Sequence, residues 1–301
     1  MPDIHDIHVN TPLSTLSIAY RNPEDAYICH LLFPIVPVVE DSAEFPILDK
    51  SNLRREESRL APKTRAKLVD WANTWDTYAC KAYALADKVG DDERNNNSVP
   101  GNLDIRAAER LTDSLWLDWD YRVAVLARNT GIWTNSSPGV KWDAGAATTI
   151  FADIKDARAV PKLRKPNTAA MSQLTFEALQ TAPELLDLYK YTSGGMLSAE
   201  QIKALFRVDR LLIDKAAINT STQGQTDVID YVWSDDVWMG YVAPSVGIDV
   251  MSAGWTFRSQ QMKVRKIRQE EEWSDLFDVK YKQDEKVVAA DLGVLLTNVL
   301  G

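Results

Sequence analysis

The stretch that decides the fold lies at residues 102–128 and reads NLDIRAAERLTDSLWLDWDYRVAVLAR. Asn102 is a favourable N-cap, and Asn129 and Gly131 are stop signals beyond the other end. Between them, apolar residues recur at the spacing of one helix face: Ala108, Leu111, Leu115, Trp119, Val123 and Leu126. We therefore predict a helix of about 27 residues, roughly 40 Å long. Such a helix is long for a globular protein, and it lacks the sustained heptads of a coiled coil.

Upstream of this helix, the first 40 residues predict an arm. Prolines at positions 2, 12, 23, 34 and 37 prevent any helix longer than about ten residues, and only Ala19–Ile28 has room for a short one. The next segment, Leu31–Val39, is apolar but contains two of these prolines, which is typical of an edge strand or an extended arm. Its apolar side chains need a partner that the local sequence does not supply.

Residues 44–80 predict a long β-hairpin with a charged tip. Glu44–Leu48 and Ala66–Tyr78 have the β-branched and aromatic content of extended segments. Between Asp49 and Lys67 there are seven cations and three anions, a net charge of +4 on a chain of −9, so the remainder carries −13. This asymmetry suggests a basic projection that meets an acidic neighbour, although a charge run is also compatible with a solvated face.

Two tryptophans, Trp71 and Trp75, fall on the same hairpin. If the hairpin projects, they form an exposed apolar patch that another chain must cover. If the hairpin folds back on its own domain, that domain covers them.

Downstream of the long helix, helices and strands alternate. We predict helices at Ile150–Val160, Ser172–Gln180, Pro183–Tyr189 and Ser198–Phe206, and strands at Asn167–Met171, Arg210–Ile213, Val228–Trp233 and Val237–Val242, the last two joined as a hairpin. Three strand-like segments follow, at Phe257–Ile267, Asp275–Lys282 and Val287–Val299, with Glu270–Glu272 at the first turn. The fold class is therefore α+β.

The composition excludes several classes of protein. With 45% hydrophobic and 26% charged residues, the chain is neither disordered nor fibrous. No apolar run reaches the length of about 20 residues that a membrane helix needs, and the start of the chain does not have the pattern of a signal peptide. A net charge of −9 disfavours a nucleic-acid-coating protein. The scarcity of glycine, with 13 residues, disfavours phosphate-binding loops.

Few residues are candidates for chemistry. All three histidines lie within the first 30 residues, and the adjacent side chains of Cys29 and His30 diverge, so neither a catalytic triad nor a Cys/His pair is expected. Asp118 and Asp120 are interpreted as helix surface, and Asp235 and Asp236 as a turn. We predict no catalytic, cofactor-binding or metal-binding residues, and hence no enzyme.

Several stretches, in order, bring one family into view. They are AAERLTD (107–113), KWD (141–143), IKDA (154–157), KPNTAAMS (165–172), FEAL (176–179) and VWSDDV (232–237). Together with the arm, the basic hairpin and the long helix, this series resembles the major capsid proteins of tailed bacteriophages, whose fold is the Hong Kong-type capsid fold. The resemblance covers about residues 20 to 300.

This resemblance implies a domain organisation. Residues 1–40 would be the N-terminal arm, 41–80 the extended loop, 81–145 the spine helix with the first part of the peripheral domain, 146–249 the α/β axial domain and 250–301 the return strands of the peripheral domain. The arm and loop would bury their apolar residues against neighbouring subunits.

The resemblance also implies a structural function, a subunit forming the hexamers and pentamers of an icosahedral shell around double-stranded DNA. A separate scaffolding protein, a portal and optionally a decoration protein would be partners, and DNA contact would be non-specific. The expected location is the virion, after assembly in the host cytoplasm and without a membrane. The predicted subunit-interface residues are Arg54, Arg55, Arg59, Lys63, Trp71 and Trp75.

Three alternatives stay open. A cellular compartment shell of the encapsulin type has the same fold but encloses protein cargo. A soluble α/β hydrolase or transferase acting through carboxylates would be a monomer with a polar pocket. A DNA-binding module would need the loop cations between Lys50 and Lys67 as its patch.

Overall fold

The predicted long helix is present as α3 (Leu103–Ala127) and connects two β-sheets in the computed structural model, which describes residues 22–60, 65–70, 72–95, 102–145, 148–189, 196–222, 224–247 and 250–301. The Asn102 side chain accepts from the N–H of Asp104 at 2.9 Å, which is the predicted cap. The first half of α3 packs on one sheet through Leu111 and Leu115, and the second half packs on the other through Trp119 and Val123.

The other helices are α1 (Cys29–Leu32), α2 (Asp91–Asn95), α4 (Ile150–Ala159), α5 (Gln173–Thr181), α6 (Pro183–Tyr189) and α7 (Ala199–Phe206). The strands are β1 (Ile35–Pro37), β2 (Ser42–Leu48), β3 (Asn73–Ala79), β4 (Lys81–Gly90), β5 (Thr134–Ser136), β6 (Thr168–Ser172), β7 (Arg210–Asp214), β8 (Ala217–Asn219), β9 (Ile229–Tyr231), β10 (Val237–Gly240), β11 (Gly254–Gln269), β12 (Ser274–Val287) and β13 (Gly293–Leu296). No described helix is long and apolar enough to span a bilayer.

A four-stranded sheet supports the first half of α3. Its order is β1-β11-β12-β4, with β1 parallel to β11 and the other neighbours antiparallel. The long β11–β12 hairpin turns at Glu270–Glu272, as predicted. β1 is an edge strand, as its prolines predict. Pro37 has no N–H to donate, and an edge strand has no second neighbouring strand that would need this hydrogen bond.

A five-stranded sheet of order β5-β13-β10-β6-β7 supports the second half of α3. Alternate residues of its strands face two different cores. One core contains α3 and residues 26–33, and the other contains α4, α5, α6 and α7. Gly240 and Gly293 are paired across β10 and β13, and a Cβ at either position would lie within 2.4 Å of a tryptophan ring atom, of Trp238 or Trp133 respectively.

The pairing of this sheet corrects two expectations. The predicted hairpin between 228 and 242 is wrong, because β9 pairs with β8 in a separate two-stranded sheet while β10 pairs with β13 and β6. The sheet also crosses the boundaries drawn at 146 and 249, since β5 and β13 join it from outside that range. Both differences arise from pairing between segments that are distant in sequence.

The described part of the arm, residues 22–40, is attached to its own subunit, contrary to the expectation that a neighbour covers it. Leu32 and Phe33 are fully buried in the core around the second half of α3. The helix predicted at Ala19–Ile28 is not found from residue 22 onward, where Glu24–Ala26 form a 3-10 turn and α1 begins only at Cys29. The position of α1 is set by Asp120, whose Oδ1 accepts hydrogen bonds from the N–H groups of Ile28 and Cys29 at 3.1 and 2.9 Å.

Candidate assembly surface

The base of the β2–β3 loop is fixed to the four-stranded sheet. The ring of Phe257 on β11 lies 5.1 Å from that of Phe45 and 4.6 Å from that of Tyr78, measured between centroids. Lys286 Nζ on β12 donates to Asp76 Oδ1 on β3 at 2.6 Å. Because aromatic packing and an ion pair hold both strands, the direction in which the loop leaves the body is set by the sheet.

Beyond this base, the loop tip has no core of its own. The strand predicted to begin at Ala66 begins only at Asn73, and residues 54–60 and 65–70 are exposed and irregular. Two loop cations have partners within the chain: Lys50 pairs with Asp291, and Lys67 pairs with Glu56. The hydrogen bond from Lys67 lowers the pKa of Glu56 below its usual value.

Three of the predicted interface residues, Arg54, Arg55 and Arg59, lie on this tip and are exposed. Neither they nor Arg65 form an ion pair within the described part of the chain. Lys63 and Trp71, also predicted as interface residues, lie outside the described residues. The tip therefore presents four arginine side chains that form no ion pair with any residue of the described chain.

Trp75, the last predicted interface residue, lies on β3 opposite Pro46 and is 60% exposed. Sequence reasoning missed further apolar side chains of the tip, of which Leu68 is 92% exposed. The others are Leu53, Leu60 and Val69. The sequence signal for them is the occurrence of apolar residues in a charged segment that has neither helical nor strand periodicity. The surface thus combines exposed apolar side chains with arginines that have no ion-pair partner among the described residues.

One of the carboxylates considered in the sequence, Asp120, is not on the helix surface where the sequence placed it. Asp120, interpreted as helix surface, is 1% exposed and lies beside the buried Asp214 at the end of β7. Asp214 accepts from the N–H groups of Ala216 and Trp233 at 3.4 and 3.2 Å. Burial raises the pKa of Asp120 to about 6, and burial together with the Asp120 charge raises that of Asp214 to about 8.

This buried pair has the features of a structural contact. Its oxygens accept backbone N–H groups from residues 28–29, 216 and 233, which ties three parts of the chain together. Burial and the nearby Asp120 raise the pKa of the Cys29 thiol well above its usual value, so the thiol stays protonated at neutral pH. Among the described residues, no three His, Cys, Asp or Glu side chains are grouped so as to hold a metal ion.

Comparison with known proteins identifies this architecture. No family model matches the chain. The chain is 22% identical over 306 aligned residues to the major capsid protein of Burkholderia phage BcepMu, covering 97% of each. Its structure superposes on a phage-related protein from Bordetella bronchiseptica RB50 with a TM-score of 0.73 at 20% identity, covering 92% and 93% of the two chains. It superposes on the capsid of cyanophage P-SCSP1u with a TM-score of 0.61 at 13% identity, covering 93% and 90%.

The chain has the tailed-phage capsid fold. The resemblance expected from the ordered motifs is confirmed, and so is the α+β fold class. α3 is the long helix to which the resemblance gives the role of spine, and the β2–β3 segment lies in the range to which it gives the role of extended loop.

Proposed function

We propose that this chain is the structural subunit of a tailed-phage head, which assembles into the hexamers and pentamers of an icosahedral shell enclosing double-stranded DNA. Similarity to a phage major capsid protein over 97% of both chains supports this proposal. The structural observation that carries it is the exposed β2–β3 loop. The loop is fixed at its base to a capsid fold, and it carries five exposed apolar residues and four arginines that form no ion pair with any described residue. Such a loop needs a surface outside its own chain.

On this proposal the chain acts by assembly and not by catalysis, in the virion after assembly in the host cytoplasm. Its main partner is itself, with a separate scaffolding protein, a portal and optionally a decoration protein. Contact with packaged DNA is non-specific, because a net charge of −9 opposes tight binding to phosphate.

The domain names follow the same proposal. Residues 1–40 serve as the arm, 41–80 as the extended loop, 146–249 as the axial domain, and 81–145 with 250–301 as the spine and peripheral domain. β5 and β13 extend the axial sheet beyond its stated range. We assign Arg54, Arg55, Arg59, Lys63, Trp71 and Trp75 to the contact with the next subunit.

An encapsulin-type compartment shell would use the same fold, but the sequence similarity is to a phage protein. The two shells differ in content, since one holds a genome and the other a protein cargo. Neither an enzyme nor a DNA-binding module is favoured by a specific observation.

The first experiment is negative-stain electron microscopy with light scattering on the purified protein, alone and with a candidate scaffolding protein from the same genome. We expect closed shells, tubes or rings of five or six subunits. Nucleic acid in particles isolated from producing cells supports the capsid, and protein cargo alone supports the compartment. A strictly monomeric protein under all these conditions would contradict the proposal.

A further inference from the structure

A cavity of about 430 Å³ lies between α4 and α7, on the face of the five-stranded sheet that is remote from α3. Its apolar lining includes Phe151, Ile154 and Leu205. Four cations also line it: Lys155, Arg158, Lys165 and Arg207. None of the described residues that line the cavity is a carboxylate, and none of the four cations forms an ion pair with another described residue. The volume is in the range of pockets that take a ligand or several side chains.

Two of these cations already have partners, and two do not. Arg158 donates to the carbonyls of Phe206 and Arg207, where α7 ends, and Lys165 Nζ donates to the carbonyl of Arg158 at 3.1 Å. These bonds satisfy the carbonyl ends of two helices. The side chains of Lys155 and Arg207 have no hydrogen-bond partner among the described residues. Burial and the charge of Arg207 lower the pKa of Arg158. The two guanidinium groups repel each other, and no described residue of the cavity lining supplies an anion to offset this repulsion.

The complementary surface lies on the opposite face of the same sheet. The β8–β9 hairpin packs through Ala216, Ile218 and Val232 on the core that contains α3. Residues 217–231 include two carboxylates, Asp227 and Asp230, and no cation. Val228 and Ile229 between them are 55% and 71% exposed. The segment 227–230 therefore combines two negative charges with exposed apolar side chains, whereas the cavity combines positive charges with an apolar lining.

We infer that segment 227–230 of one copy of this chain occupies the cationic cavity of the next copy. A cavity and a hairpin on opposite faces of one sheet do not meet within a chain. Repeated head to tail, they generate a ring when the rotation closes. The carboxylates of the hairpin would pair with Lys155 and Arg207. The aliphatic side chains of the hairpin would cover the apolar residues that line the cavity. This inference rests on the proposed shell function and specifies one contact within its hexamers and pentamers.

Cysteine cross-linking tests the contact directly. In a Cys80→Ser background, the double variant Phe151→Cys/Ile229→Cys is assembled and then oxidised. We expect a ladder of disulfide-linked chains that ends at the ring size. The control Phe151→Cys/Val264→Cys uses another exposed position, 52% accessible on β11, and no ladder is expected. Shells that form without a ladder in the first variant overturn the inference, whereas a wild-type chain that never assembles overturns the proposed function.

Charge exchange tests the pairing independently of cysteine chemistry. Lys155→Glu and Asp230→Lys should each lower the assembled fraction by roughly tenfold, because like charges are then opposed. The double variant should recover most of the loss, and Lys155→Arg should assemble normally. Folding of each subunit is checked by circular dichroism. Normal assembly by both single variants, or a double variant worse than either, would contradict the contact.

Discussion

At the scale of single residues, the Asp120–Asp214 pair shows why the sequence predicted Asp120 on the helix surface although it is buried. Asp120 follows Trp119 in the apolar stripe, and local spacing gives no sign that residues 28–29 and Asp214 approach it. Its Oδ2 atom is buried with no hydrogen-bond partner within the described residues. A proton shared between the two carboxyls would supply that partner, in agreement with the raised pKa of both groups.

The pair makes stability depend on pH in a defined direction. Because both pKa values exceed the usual carboxyl value of about 4, the folded subunit binds more protons than the unfolded chain between about pH 4 and pH 8. The free energy of unfolding therefore falls as pH rises through this window. Asp214→Asn should make the decrease in the free energy of unfolding between pH 5 and pH 8 smaller by at least about 1.4 kcal/mol, the equivalent of one pKa unit.

Urea unfolding of the unassembled subunit at several pH values measures this slope. Asp156→Asn is the control, since Asp156 is exposed and its replacement removes no buried carboxyl. Equal slopes for Asp214→Asn and the wild type would contradict the shared proton.

At the scale of elements, the sequence predicted those whose signals are local. The Asn102 cap and the Ser198–Gln201 capping box fixed the starts of α3 and α7, and Ser172 fixed that of α5. Strand partners were predicted poorly, because β13 joins β10 and β5 from more than 50 residues away in the chain. The loop tip was identified by its charge, whereas its apolar residues followed no periodic pattern.

One polar cluster joins α3 to the four-stranded sheet. Arg122 Nη2 donates to Glu285 Oε1 at 2.9 Å and to the Tyr281 hydroxyl at 3.0 Å, and its guanidinium lies 3.7 Å from the Tyr83 ring centroid. The Glu285 side chain is 5% exposed, so it depends on this arginine for its counter-charge.

Arg122→Ala should lower the free energy of unfolding by about 3–5 kcal/mol, because it leaves a buried carboxylate unpaired. Adding Glu285→Gln should recover part of this loss. Lys88→Ala removes a pair whose side chains are about half exposed, and it should cost less than about 1 kcal/mol. Denaturant unfolding followed by circular dichroism measures all three, and equal costs for Arg122→Ala and Lys88→Ala would contradict the cluster's role.

At the scale of the whole molecule, the two predicted extensions differ. Leu32 and Phe33 of the arm are buried against their own subunit, so they need no neighbour to cover them. The loop tip stays exposed and carries the positive charge of a chain that is otherwise negative. Among the described residues, the loop is therefore the extension that most needs a second copy, and the acidic remainder of that copy is its natural partner.

Charge reversal on the tip tests this assignment. Arg54→Glu/Arg55→Glu/Arg59→Glu should impair assembly while the subunit stays soluble and folded, since all three side chains are exposed. The matched triple Gln variant should lie between this variant and the wild type. Assembly yields by light scattering at low and high salt give the comparison, and added salt should weaken wild-type assembly if these contacts are ionic. Normal shells from the triple Glu variant would exclude the arginines from the interface.

Trp75 reports whether the loop is covered when the shell forms. An indole 60% exposed in the free subunit loses contact with water if the next subunit packs on β3, and its emission shifts to shorter wavelength. Because the chain has ten tryptophans, the signal is the difference between wild type and Trp75→Phe, recorded before and after assembly. Trp142→Phe is the control, because Trp142 is 1% exposed and its difference spectrum should not change. If the Trp75 difference spectrum is also unchanged in assembled shells, then β3 faces water in the shell and the loop contacts its neighbour through the tip alone.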